Sequence, residues 1–229
     1  MAQLALVAGH LETKGSFMKR FSKHCLTALW VCLCLSARAG SDVTVPPAQS
    51  VAGKSQADWS EVWWQWAASF DQSESPITDQ TGELCQAKQS GSVWFLAGTY
   101  GTHRTVRLCH VPQGKHLFFP LINYVVTRPL DREVSCKSVM WKAERLTDRA
   151  SALVLEVDGQ RVKNLQAYRQ PTKCFNIAEL STPKQFVFPS AANGYYVMLK
   201  PLAPGTHVIN FGGALSTMLQ AVTYTIVVE

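Results

Sequence analysis

From residue 93 onward, glycine and proline turns cut the chain into short apolar or alternating runs, and that rhythm narrows the possible folds most. In AVTYTIVVE, residues 221–229, Val222, Tyr224, Ile226 and Val228 share one face while Thr223 and Thr225 share the other. A period of two is the signature of a strand, because successive side chains leave on opposite sides. ALVLEVDGQRVKNL, residues 152–165, reads as a hairpin: Leu153, Leu155 and Val157 alternate, Asp158-Gly159 suits a type I′ turn, and Val162 resumes on the far side. VWFLAGT, residues 93–99, is a continuous apolar run suited to a strand covered on both faces. Further strands are predicted over residues 105–111 and 116–126. Pro120 interrupts the second, and because it cannot donate to a ladder it marks an edge or a bulge. GYYVMLKPL and GTHVINFGG add two more near the end. Short strands at regular spacing predict a mainly β domain, a two-sheet β-sandwich of immunoglobulin-like or jelly-roll type.

Two segments break the rhythm. Ser55 stands three residues before Asp58, an S-x-x-D helix start. WSEVWWQWAASF follows, with four of the chain's seven tryptophans. At about 100° per residue, Trp59, Val62, Trp63, Trp66 and Phe70 fall in a band about 100° wide, the stripe of a core-facing amphipathic helix. Trp64 lies about 140° from Trp59, off that stripe. Three tryptophans are therefore expected to anchor the helix, and Trp64 is free to cover a loop, meet a partner subunit or stack on a sugar ring. Residues 137–149 form a second, short internal helix, with Met140, Trp141 and Leu146 as its apolar contacts. Turn residues fill 75–82. Residues 40–54 are small, polar and proline-bearing, and read as a linker or extended arm.

Upstream lies an export signal. Met18-Lys19-Arg20 with Lys23 is a basic start, LTALWVCLCL a short apolar centre, and Ala37-Arg38-Ala39 a small-x-small cleavage site. A membrane-spanning helix needs about 20 apolar residues, so no integral membrane segment is expected after cleavage. Residues 1–17 read as an over-long start assignment ahead of a signal peptide at 18–39, followed by the linker 40–54 and a single domain at 55–229. The cysteines agree with export. Cys25, Cys32 and Cys34 fall in the signal and leave Cys85, Cys109, Cys136 and Cys174, an even set that reads as two disulfides. Of the three connectivities, Cys85–Cys109 with Cys136–Cys174 is favoured because each would staple one local segment. The formal charge of +6 loses Lys14, Lys19, Arg20, Lys23 and Arg38, and Glu12, with residues 1–39, which leaves +2. Such a balance points to neither nucleic acid nor an anionic membrane.

Chemical signatures are sparse. No G-x-S-x-G, H-E-x-x-H or phosphate-binding glycine loop occurs. Asp79-Gln80-Thr81-Gly82 offers one carboxylate where aspartic-protease chemistry needs two sharing a proton, so a turn in which Asp79 bonds its own backbone is preferred. His103, His110, His116 and His207 show no metal-ligand spacing, no C-x-x-C exists, and no metal or cofactor is expected. Gln65, Asp79, Arg107, Lys115, Asn123, Tyr168 and Arg169 all adjoin apolar runs. Either they are buried hydrogen-bond partners that tie loops to the sheets, or some of them line a cleft for a small polar ligand. The candidate ligand-binding residues are Trp64, Asp79, Arg107 and Asn123.

The runs WWQWA, DQTGELC, VWFLAGT, RLCHVPQGKHLFFPLIN, VDGQRVKNLQAYR and GYYVMLKPLAPGTHVINFGG resemble a family of uncharacterised exported bacterial proteins. The likeness covers nearly all of the chain from Trp59 onward. It implies a bacterial source and a secreted or periplasmic location, and it assigns no reaction, ligand or catalytic residue. LKPLAPGTHVI also resembles the closing hairpin of immunoglobulin-like extracellular domains, which concerns fold alone. The leading expectation is a non-enzymatic binding or interaction module, with carbohydrate as the candidate ligand. A secreted hydrolase using Asp79 with a basic or histidine partner competes with it. So does a structural envelope component, which a large exposed apolar patch would favour.

Overall fold

The computed structural model describes residues 42–101, 103–181 and 185–229, so the expected signal peptide and the residues before it lie outside the described part. Helix α1 (Gln56–Ala68) begins where the capping signal places it. The Ser55 hydroxyl accepts from the Asp58 backbone N–H, and the Asp58 carboxylate accepts from the Ser55 N–H at 3.1 Å. Each satisfies a backbone donor that the first helical turn leaves without a partner. Trp63 and Trp66 are 2% exposed, and each gives its indole N–H to a backbone carbonyl, of Leu96 and Ala87 respectively.

The rest is mainly β, as expected. Strands β1 (Val93–Phe95), β3 (His116–Thr127) and β6 (Ser190–Leu199) form one sheet in the order β1-β3-β6. Strands β2 (Arg104–Val111), β4 (Ser151–Val157), β5 (Gln160–Arg161), β7 (Gly205–Leu215) and β8 (Met218–Val228) form the other, in the order β2-β8-β7-β4-β5. Both sheets are mixed: β1–β3 and β2–β8 are parallel and the other pairs antiparallel. Leu117, Phe119, Leu121, Val197 and Leu199 from the first sheet share one core with Ile209, Phe211, Val222, Tyr224 and Ile226 from the second. On the opposite face of the first sheet, Phe118, Tyr196 and Met198 pack against the tryptophans of α1. At the predicted hairpin turn, Asp158 and Gly159 have φ of 51° and 77°, the left-handed pair that a type I′ turn requires.

Three sequence expectations need correction. Residues 42–54 are no linker: Val45 donates to Met198 O at 2.8 Å, Thr44 bridges to Leu199, and Val45 and Val51 are buried against α1. Residues 42–54 accordingly pack with the elements from 55 onward. A few buried apolar residues anchor this arm, too sparsely spaced to outweigh its polar composition in the sequence. Second, residues 93–98 are buried as predicted, but regular pairing stops at Phe95 and the chain then crosses toward the second sheet. Third, helix α2 (Cys136–Thr147) buries Val139, Ala143 and Thr147, an i, i+4, i+8 stripe, while Met140 and Trp141 stay exposed. Val139 and Ala143 pack against Val126 and Ala191.

The four cysteines pair at disulfide distance in the favoured combination. Cys85 lies opposite Cys109 and Cys136 opposite Cys174, with Cα atoms 5.8 and 5.7 Å apart. Among the described residues no helix is long and apolar enough to cross a membrane.

Candidate functional site

The site arises from an irregularity in β3. Pro120 pairs with Tyr196 and Ile122 with Tyr195, so Leu121 is an extra residue opposite no partner. Such a bulge re-aims every side chain beyond it. Leu121 and Ile122 both enter the core between the sheets. Asn123 consequently faces α1, where regular alternation would have pointed it into the apolar core. Gly194 lies opposite and leaves the space this needs, since a Cβ there would sit 2.5 Å from Asn123 Cβ. Gln220 on β8 holds the bulge, its Nε2 donating to Pro120 O at 2.7 Å and Leu121 O at 2.8 Å. Its Oε1 accepts from Thr99 N at 2.9 Å, which fixes the crossing segment beside the bulge.

Between α1, this segment and the outer half of β3 lies a cleft of about 400 Å³. Trp63, Trp64, Tyr100, Tyr124, Ile177 and Met218 supply most of its apolar wall, and Asn123, Thr99 and Gln220 its polar groups. None of its lining residues is Asp, Glu, Lys, Arg or His. Trp64 is half-buried and packs against the core beneath α1, as do Trp59, Val62 and Phe70 of the predicted stripe, of which only Trp63 and Trp66 are fully buried. Its indole Nε1 donates to the Tyr196 hydroxyl at 2.8 Å, and Asn123 Nδ2 donates to the same oxygen at 3.1 Å. Burial pushes the Tyr196 hydroxyl far above its ordinary pKa, against the opposing pull of those two bonds, so it stays neutral. Asn123 is 6% exposed and its Oδ1 has no hydrogen-bond partner among the described residues. The cleft therefore offers flat aromatic faces and a nearly buried amide oxygen able to accept from a ligand hydroxyl.

Trp64 and Asn123 meet at this cleft; Asp79 and Arg107 do not line it. The Asp79 carboxylate is taken up by its own loop, accepting from Thr81 N at 2.8 Å, Gly82 N at 3.1 Å, Leu84 N at 2.9 Å and the Thr81 hydroxyl at 3.0 Å. Partial burial raises its pKa, but these bonds outweigh burial and hold the carboxyl below its ordinary range. A general acid needs the opposite shift. Arg107 is 1% exposed and serves the backbone. Nε donates to Asp79 O, Nη1 to Ala97 O, Gly98 O and the Tyr224 hydroxyl, and Nη2 to Ile77 O. These bonds replace the ladder that the crossing segment gives up after Phe95.

The remaining polar candidates tie elements together. Gln65 donates to Asn176 O, Lys115 to Gly91 O, and the Tyr168 hydroxyl bonds Thr44 Oγ1. Arg169 bonds Asn193 Oδ1, Glu144 O and Asp148. His110 pairs with Glu229, and His207 lies between Asp158 and Ala203 O. Tyr196 and Gln220 went unnoticed in the sequence. Tyr196 sits in a strand buried throughout and Gln220 continues the inward face of β8, so each reads as a core residue whatever its polar atoms meet. No family model, curated protein or solved structure matches this chain.

Proposed function

We propose that this is an exported bacterial binding module, without catalysis of its own, that holds a small uncharged carbohydrate in the cleft at Trp64 and Asn123. The observation that carries the reading is the convergence of Trp64 and Asn123 on the Tyr196 hydroxyl within an uncharged, aromatic-lined cleft. A sugar ring has an apolar C–H face that stacks on an aromatic ring and a rim of hydroxyls that need partners; the cleft provides both. With no lining charge, an ionised ligand would lose hydration without compensation. Two cysteine pairs at disulfide distance fit an oxidising compartment, secreted or periplasmic. The scaffold would be a sandwich of immunoglobulin-like or jelly-roll kind, modified by its two parallel pairings.

A structural envelope role draws less support from the outer face of the five-stranded sheet. Exposed apolar residues there are separated by polar ones: Thr223 lies between Val106 and Asn210, and Thr225 between Leu108 and Val208. A continuous apolar patch would be the better basis for assembly.

A glycan and small-molecule binding screen of the purified protein tests the proposal. A neutral saccharide is expected among the hits, and Trp64→Ala should weaken it about tenfold or more, the loss of one stacked ring and its packing. Hits confined to charged ligands, or hits indifferent to Trp64→Ala, would sink it.

A further inference from the structure

The cleft does not end at α1. A second depression of about 300 Å³ is lined by Phe70, Gln72, Ser75 and Thr78, and it shares Ala67, Ala68 and Tyr100 with the first. The two therefore border the same three residues. Tyr100 is 66% exposed and stands where they meet. We propose that the two depressions are subsites of one groove, which takes an unbranched chain of at least two uncharged sugar rings.

This rests on the carbohydrate reading and adds length and register to it. The first subsite supplies Trp64, Tyr124 and the unpartnered Oδ1 of Asn123. The second has a different character. Gln72 is exposed and its side-chain amide makes no hydrogen bond among the described residues, so both its donor and its acceptor are open to hydroxyls. The one hydroxyl proton of Thr78 is engaged by Gln72 O at 2.8 Å and Ser75 O at 3.0 Å, which leaves the oxygen an acceptor there. No residue lining the second depression is ionised either. Lys88 lies 4.5 Å over the Phe70 ring, but its ammonium is bound to Ser69 O. Tyr100 can pack against rings on either side of the junction, and Ala67 and Ala68 are small enough to let a glycosidic link pass over them. Together the two volumes fall within the roughly 300–1,000 Å³ of small-ligand sites. A sugar monomer fills only one of them.

Calorimetric titration with two neutral series, glucose to cellotriose and N-acetylglucosamine to its trimer, tests this directly. In at least one series the dimer is expected to bind about tenfold tighter than the monomer. Gln72→Ala, which removes the open amide, and Ala68→Leu, which places a bulky side chain on the junction, should each cut that ratio to about threefold or less. The ratio is read within one protein preparation, so partial loss of folded protein does not alter it. Equal affinity for one, two and three units overturns the two-subsite groove and leaves the carbohydrate reading standing. A dimer advantage untouched by both variants places the second ring elsewhere and also overturns it. If neither series binds, both the groove and the carbohydrate reading fall.

Discussion

Arg107 shows how much one residue can carry in this fold. Its guanidinium is buried with no ion pair among the described residues, and its charge is offset by the carbonyls of Ile77, Asp79, Ala97 and Gly98 and by the Tyr224 hydroxyl. Removing it strands the four backbone acceptors of Ile77, Asp79, Ala97 and Gly98. Arg107→Met is expected to cost about 3–5 kcal/mol in urea unfolding, the range for removing one partner from a buried charged network. Arg107→Lys should be nearly as harmful, because a point charge with three donors cannot reproduce a planar fork with five. A loss below about 1 kcal/mol for either would show that the carbonyls find other donors. Two of the residues singled out in the sequence, Trp64 by helical phase and Asn123 as a polar residue inside an apolar run, line the same cleft. For Arg107 the buried hydrogen-bond partner that ties loops to the sheets is the reading found, in place of the ligand-binding one. The sequence marks a cation beside apolar runs, whereas the carbonyls it meets belong to segments up to 30 residues away.

At the scale of elements, the bulge in β3 decides where the site lies. Pro120 announces an irregularity, and the bulge among its two readings is the one found, since β3 is the central strand of its sheet. The sequence does not reveal that Gln220 braces it from another sheet. Gln220→Leu, close in size but without polar atoms, would leave Pro120 O, Leu121 O and Thr99 N unpartnered. A loss of about 2–4 kcal/mol is expected, with faster amide exchange at Thr99, as three buried backbone groups lose their bonds. Unchanged exchange at Thr99 would refute the bracing role. Gly98 belongs to the same device, because a Cβ there would lie 2.3 Å from Gln220 Oε1. Helix boundaries were more legible. Ser55 and Asp58 mark the start of α1 through contacts only three residues apart, which sequence displays directly.

Across the whole molecule, the two cysteine pairs staple the sheets to their surroundings. Cys85–Cys109 ties the loop after α1 to β2 across 24 residues, and Cys136–Cys174 ties the start of α2 to the segment preceding β6 across 38. On the chain-entropy model each closed loop stabilises the fold by about 3–4 kcal/mol. Replacing Cys85 and Cys109 together by alanine should lower stability by about that amount in chemical denaturation, and a change under about 1 kcal/mol would exclude a stapling role for this pair. The pairing itself was legible because local closure is a property of spacing. Strand periods, caps and the tight turn at Asp158-Gly159 were legible for the same reason: each depends on residues within a few positions of one another. The tertiary structure alone decided that residues 42–54 pack into the domain, that the chain after Phe95 crosses between sheets onto Arg107, and that Trp64 and Asn123 meet at the Tyr196 hydroxyl. Those facts depend on which distant segments become neighbours, and a one-residue bulge is enough to turn a side chain from the core to the cleft.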